Sequence, residues 1–222
     1  MTTARNDRIE TAKARGNLYG FLATVFRAEP TVEFLDQLRT PVFSEVLESI
    51  DSSLKKPFNG TPNGILAEDL ATEFARLFIG PGPHISPHES TNLDPDIPVE
   101  STLWSNETVK VKKFIEATGL EYDGSFAGMP DHIAAELEFM QRLIERESDA
   151  WKDEDEEYAT NLLKIQKQFL DEHLSQWLPR FCERVIHMTK EPFYAEMAKL
   201  TDSFLKFEYE LLEDDPAVET VN

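Results

Sequence analysis

The 222 residues carry 42 acidic and 22 basic side chains, a formal charge of −20. A chain of this length buries a full core and is read as one domain. Its acidity repels phosphate backbones, which argues against a nucleic-acid partner and for a partner rich in Lys or Arg, with simple solubility as the alternative reading of the charge.

The charge is uneven. Residues 136–157 and the tail from Glu208 onward are strongly acidic, whereas residues 1–27 lean basic. Such runs read first as solvated faces. The lone cysteine, Cys182, excludes an internal disulfide and a cysteine metal cluster, and its place in the stripe Trp177, Phe181, Val185 predicts a packed thiol. No apolar run reaches the roughly 18 residues that a membrane span needs. The first residues lack a secretory apolar stretch and the chain has no Arg-Arg pair, so a cytoplasmic location without stable membrane insertion is expected.

Helical periodicity dominates from the start. Leu18, Phe21, Leu22, Val25 and Phe26 recur at i, i+3, i+4, i+7 and i+8, one helical face. Glu29-Pro30 ends that helix, and a second is expected over Val32–Leu38, with a short one near Val42–Ser53 and a Pro/Gly/Asn loop over Lys56–Gly64. Leu66, Leu70, Phe74, Leu77 and Phe78 form the next stripe, stopped at Gly80-Pro81. Residues 80–103 are proline-rich and aperiodic, the kind of long loop that is often functional.

Helices resume over Glu107–Thr118, closed by Gly119, and over Pro130–Ser148, where Pro at a first helical position followed by Asp suits a helix N-terminus. Further stripes are Tyr158, Leu162, Ile165, Phe169; then Phe181, Val185, Met188; then Phe193, Met197, Leu200, Phe204, Leu211, with Pro179 and Pro192 marking helix starts. The reading is an all-α single domain of about nine or ten helices, or two lobes joined by a hinge near 123–128, ending in an acidic tail over 213–222.

Enzyme motifs are missing. His84, His88 and Glu89 with His132 offer imidazole and carboxylate ligands, but no His-Glu-x-x-His spacing, so a small metal-dependent enzyme using His84, His88 and His132 stands only as the alternative. Gly80-Pro81-Gly82-Pro83 lacks the Gly-Lys-Ser/Thr ending of a phosphate loop, and its prolines remove amide donors. Asp131 and His132 are neighbours on a predicted helix and do not face each other as an acid/base pair; Asp131 capping its helix, with His132 bonding across a lobe interface, is the structural reading. Phe78, Ile79, Ile85 and Trp104 admit simple core packing, but the stiff loop beside them favours a docking surface, because prolines reduce the chain entropy lost on binding.

These residues resemble the TorD/DmsD family of redox-enzyme maturation chaperones. The matching segments are Glu73-x-x-x-Leu77-Phe78-x-Gly80-Pro81, Pro87-x-Glu89-Ser90 and Pro130-Asp131-His132-Ile-x-x-Glu136-Leu-Glu138-Phe-Met140. Leu18-Tyr19 with Leu22, Phe169-x-x-x-His173-Leu174-x-x-Trp177 and Pro192-Phe193-Tyr194 match more loosely. The resemblance implies a single helical chaperone domain over residues 1–222, without catalysis, metal or obligatory cofactor. It implies binding of the twin-arginine leader and apo form of a molybdenum-containing oxidoreductase subunit, assistance to cofactor insertion and delay of export.

The residues it assigns to peptide binding are Tyr19, Glu73, Leu77, Phe78, Gly80, Pro81, Pro87, Ser90, Asp131 and His132. It also implies a monomer or domain-swapped dimer and weak guanine-nucleotide binding. An assembly chaperone for a nitrate-reductase subunit that is never exported is the neighbouring reading. His88 stands where the family often has an aromatic residue, and Thr91-Asn92 replace an apolar-aromatic pair, which alters the groove and hence the client. A leader with a basic start and an apolar middle suits an acidic chaperone whose groove is floored by Phe78.

Overall fold

The first 27 residues contain no proline, and their apolar side chains repeat at helical spacing, so they form one long helix, α1 (Thr2–Arg27). The structure, a computed structural model, describes residues 2–41, 61–93, 105–120 and 128–218. The expected helix at Val42–Ser53, most of the Lys56–Gly64 loop, Trp104 and the hinge at 123–127 lie outside them.

The other helices are α2 (Val32–Leu38), α3 (Asn63–Phe74), the single turn α4 (Glu89–Asn92), α5 (Asn106–Ala117), α6 (Ile133–Lys152), α7 (Glu156–Phe169), α8 (Ser175–Met188) and α9 (Pro192–Glu213). The described residues form no β-strand, only one isolated bridge, and the all-α expectation holds.

Helix α1 lies along α6, and together they form the spine of the molecule. The pair is antiparallel, with Arg5 meeting Glu154, Arg15 meeting Glu147 and Arg27 meeting Glu138. Gly20 faces α6 at this seam, where a Cβ would stand 2.7 Å from Gln141 Oε1, the movable end of a side chain. The buried face of α1 is Ala12, Arg15, Tyr19, Leu22, Ala23, Val25 and Phe26, while Leu18 and Phe21 sit half-buried at its flank. The apolar stripe read from the sequence was therefore rotated slightly from the true core face, because a buried arginine belongs to it.

Two helices carry a π turn at their C-terminal end. α3 continues through Ala75–Ile79, closed by Gly80 N–H donating to the Ala75 carbonyl at 2.6 Å. A side chain on Gly80 would press on that carbonyl at 3.1 Å, which accounts for the glycine. α7 runs through Leu170–Leu174 directly into α8. Pro179 thus lies inside a continuous helix rather than at its start; Pro192 does begin α9. Such π insertions re-aim side chains and often mark functional sites.

The core is aromatic. Trp177, Tyr19, Tyr194, Phe26, Phe169, Phe181 and Phe193 are fully buried. Phe78 meets Phe26, Phe74, Phe181 and Tyr194 at ring-centroid separations of 5.0–6.3 Å. Cys182 is buried as expected, and burial pushes its thiol well above the ordinary range, which keeps it unreactive. Tyr158, expected on the buried stripe of α7, is exposed; Ala159, Leu162, Leu163, Gln166 and Phe169 form that face instead.

Candidate functional site

The two motif segments meet in space through backbone pairing. His88 and His132 form an antiparallel bridge, with Glu89 N–H donating to the Asp131 carbonyl and Ile133 N–H to the Pro87 carbonyl, each at 2.9 Å. The imidazole rings meet edge to face, centroids 5.0 Å apart. Both π turns support the proline loop that leads here: the Leu77 carbonyl accepts from Ile85 N–H at 2.7 Å, and His173 donates to Glu89. Asn92 fastens the loop from within, its side-chain amide donating to the carbonyls of Ser86 and His88 and its oxygen accepting from Arg184.

The helix begins later than the sequence implied. Pro130 and Asp131 form a turn, and His132 is the N-cap of α6, its Nδ1 accepting from Ala134 N–H at 3.1 Å. Asp131 points away from the helix end and accepts from Ser90 N–H (3.3 Å) and the Thr108 hydroxyl (3.1 Å). The expected roles are exchanged: the histidine caps, and the aspartate crosses to α4 and α5. Burial, then His88, then Arg27, hold His132 neutral with its pKa lowered to about 3. Burial also lowers His88, against the attraction of Asp131.

Three carboxyl groups lie buried beneath the bridge. Glu89, Asp131 and Glu136 are each no more than 1% exposed. His173 Nδ1 donates to both Glu89 oxygens at 3.1 and 3.0 Å, and Trp177 Nε1–H donates to Glu136 Oε2 at 3.0 Å. Burial first, then Glu89 and Asp131, push Glu136 well above the carboxylate range and favour its neutral form. Asp131 Oδ1 and the Ser90 hydroxyl have no partner among the described residues. Motif matching named Asp131 and Ser90 but passed over the roles of Glu89, Glu136, His173 and Trp177. A charged Glu136 at a core position of the stripe Ile133, Leu137, Met140 was the available signal.

The structure divides the expected peptide-binding residues into two groups. Pro87, Ser90, Asp131 and His132 come together at the bridge, and Gly80 and Pro81 lie on the accessible loop beside it. Tyr19, Leu77 and Phe78 are sealed in the core, so Phe78 cannot floor an open groove in this conformation. Glu73 is a fastener: it pairs bidentately with Arg76 at 2.7 Å and accepts from Lys190 N–H and the Thr189 hydroxyl, tying α3 to the α8–α9 turn. These bonds hold its carboxyl below the usual range against the opposing effect of burial.

His84 hydrogen-bonds the Gly82 carbonyl on the exposed loop. Among the described residues no three His, Cys, Asp or Glu side chains are placed to hold a metal ion. No described helix is long and apolar enough to cross a membrane.

The fold and site define an all-helical protein in which a proline-rich loop is paired, backbone to backbone, with the start of a helix. The family model described as nitrate reductase delta subunit matches residues 37–183, and the chain belongs to that family, in which TorD-like chaperones fall. Its relatives include several named chaperone protein TorD. The one from Aliivibrio fischeri is 27% identical over 89% of this chain and 94% of its own length. That of Shewanella oneidensis is 22% identical over 92% and 93%, and that of a Psychrobacter species 27% over 90% and 92%. The chain is accordingly a chaperone and not an enzyme.

Proposed function

We propose that this chaperone binds the twin-arginine leader and apo form of a molybdenum-containing oxidoreductase subunit, assists cofactor insertion and delays export in the cytoplasm. The observation that carries the reading is the bridge joining residues 87–89 to 131–133, with two neutral imidazoles above three buried carboxyl groups. In this reading His88 and His132 form the accessible face, Pro81 and Gly80 its rim, and Pro87 and Ser90 hold the loop in register. Asp131 Oδ1 is an acceptor awaiting a donor, the need that a leader guanidinium would meet once the rings part.

Titration of a fluorescent synthetic leader by anisotropy tests it. The full chain is expected to bind with a Kd of about 1 μM, roughly 8 kcal/mol. Replacing Arg-Arg by Gln-Gln in the peptide, or His132→Ala in the protein, is expected to weaken binding about tenfold or more. Equal affinity for the Arg-Arg and Gln-Gln peptides would overturn the leader reading.

The family match favours one second reading, an assembly chaperone for a nitrate-reductase-type subunit that is never exported. Retention from the native host of a reductase subunit whose gene encodes no twin-arginine leader would select it.

A further inference from the structure

Beside the N-terminal half of α1 a groove of about 580 Å³ opens toward α9, within the range of ligand clefts, about 300–1,000 Å³. Phe207, Glu210 and Leu211 of α9 and its C-cap Asp214 line it at i, i+3, i+4 and i+7, one side of the helix with alternating apolar and acidic character. Phe207 is 49% exposed, and Leu163 of α7 adds to the apolar floor.

The basic residues at the groove are already neutralised. Arg8 pairs with Asp215 at 2.8 Å, and Arg15 pairs with Glu208 and Glu147 at 2.8 and 3.0 Å. Asp7, Glu210 and Asp214 are exposed on the rim and have no ion pair among the described residues. An apolar floor beneath uncompensated acids fits one kind of ligand, a helix with Leu or Phe on one side and Lys or Arg beside them. A second copy of this chain is a poor occupant, since each copy carries −20.

We propose that this groove is a second docking surface, for a basic amphipathic helix of a partner polypeptide, separate from the His88–His132 site. The separation is built in. His132 begins α6 and Glu147 lies fifteen residues along it, roughly 22 Å at about 1.5 Å per residue. The two surfaces therefore engage different segments of a client, or a client and another protein.

The test uses a labelled fourteen-residue helix of alternating Leu and Lys blocks, the same peptide with Glu for Lys, and the full-length protein. Glu210→Lys with Asp214→Lys is expected to raise the Kd of the Lys peptide at least about tenfold, and Phe207→Ser about fivefold. Glu33→Lys with Glu183→Lys makes the same charge change on α2 and α8 and is expected to alter Kd by less than about twofold, as is His132→Ala. Circular dichroism confirms that each variant is folded.

An equal loss in the two double-lysine variants would reduce the effect to general attraction and overturn the proposal. So would equal binding of the Glu peptide, or loss of binding in His132→Ala. Sedimentation velocity decides the remaining occupant: a dimer dissolved by Phe207→Ser would assign the groove to a second copy instead. The outcome is independent of leader binding, which is read with a different peptide at the other site.

Discussion

His88 and His132 are held edge to face, 5.0 Å between centroids, by backbone segments paired with each other. Burial disfavours charge on both rings, and His132 uses Nδ1 to accept from its own helix. In the unfolded chain both titrate near 6.5. Between about 6.5 and about 3 the unfolded state therefore binds more protons than the folded state, and stability falls as pH falls. The slope is at most about 1.4 kcal/mol per pH unit per histidine. Urea unfolding at pH 7, 5.5 and 4.5 is expected to show a shallower decline for His132→Gln than for the wild type; parallel declines would contradict the assignment.

Glu136 has the opposite sign. Its folded pKa is raised, so above the unfolded value near 4.3 the unfolded chain releases a proton that the folded chain keeps. Its contribution is fully present at lower pH and is lost as pH rises toward the folded pKa. Glutamine keeps the acceptor for Trp177 and stays uncharged at every pH. Glu136→Gln is expected to flatten the fall in Tm as pH rises above about 4.3, and an unchanged slope in a Tm series would contradict the assignment.

Arg15 is a single cation shared by Glu208, Glu147 and Gln166 inside the helix bundle. Arg15→Met strands two buried carboxylates and is expected to cost about 3–5 kcal/mol in urea unfolding. Adding Glu147→Gln and Glu208→Gln should restore most of that loss, because the penalty lies in the unpaired charges and not in the missing contact. A triple variant as unstable as Arg15→Met would refute this.

Glu73 belongs to the family pattern, yet its carboxylate is spent on Arg76 and the Thr189–Lys190 turn. Glu73→Ala is expected to lower stability by about 2 kcal/mol, the cost of several buried bonds to a charged acceptor. Leader affinity of the folded variant should shift by less than about threefold. A tenfold loss of affinity at unchanged Tm would instead place Glu73 in the peptide site.

Helix positions and the all-α class followed from local information. The periodicity of α3, α5 and α9, the stops at Gly80 and Gly119 and the start at Pro192 act within a few residues, and such rules survive folding. The start of α6 did not follow, because Pro-Asp at a helix start and His at an N-cap satisfy the same local rules. The choice fell to Ser90 and Thr108, distant donors that claim Asp131. Pro179 likewise reads as a helix start, yet α7 runs through the π turn into α8 without a break.

By itself the sequence determined the helical fold, the acidic charge and the two motif segments that pair at the bridge. Each of these depends on neighbours along the chain or on simple charge. Tertiary structure alone decided that Leu77 and Phe78 face inward and that His88 lies against His132. It also placed Glu89, Asp131 and Glu136 together under one bridge. The reason is physical: burial and carboxyl pairing depend on which surfaces meet, and residues forty positions apart carry no mark of that meeting until the helices pack.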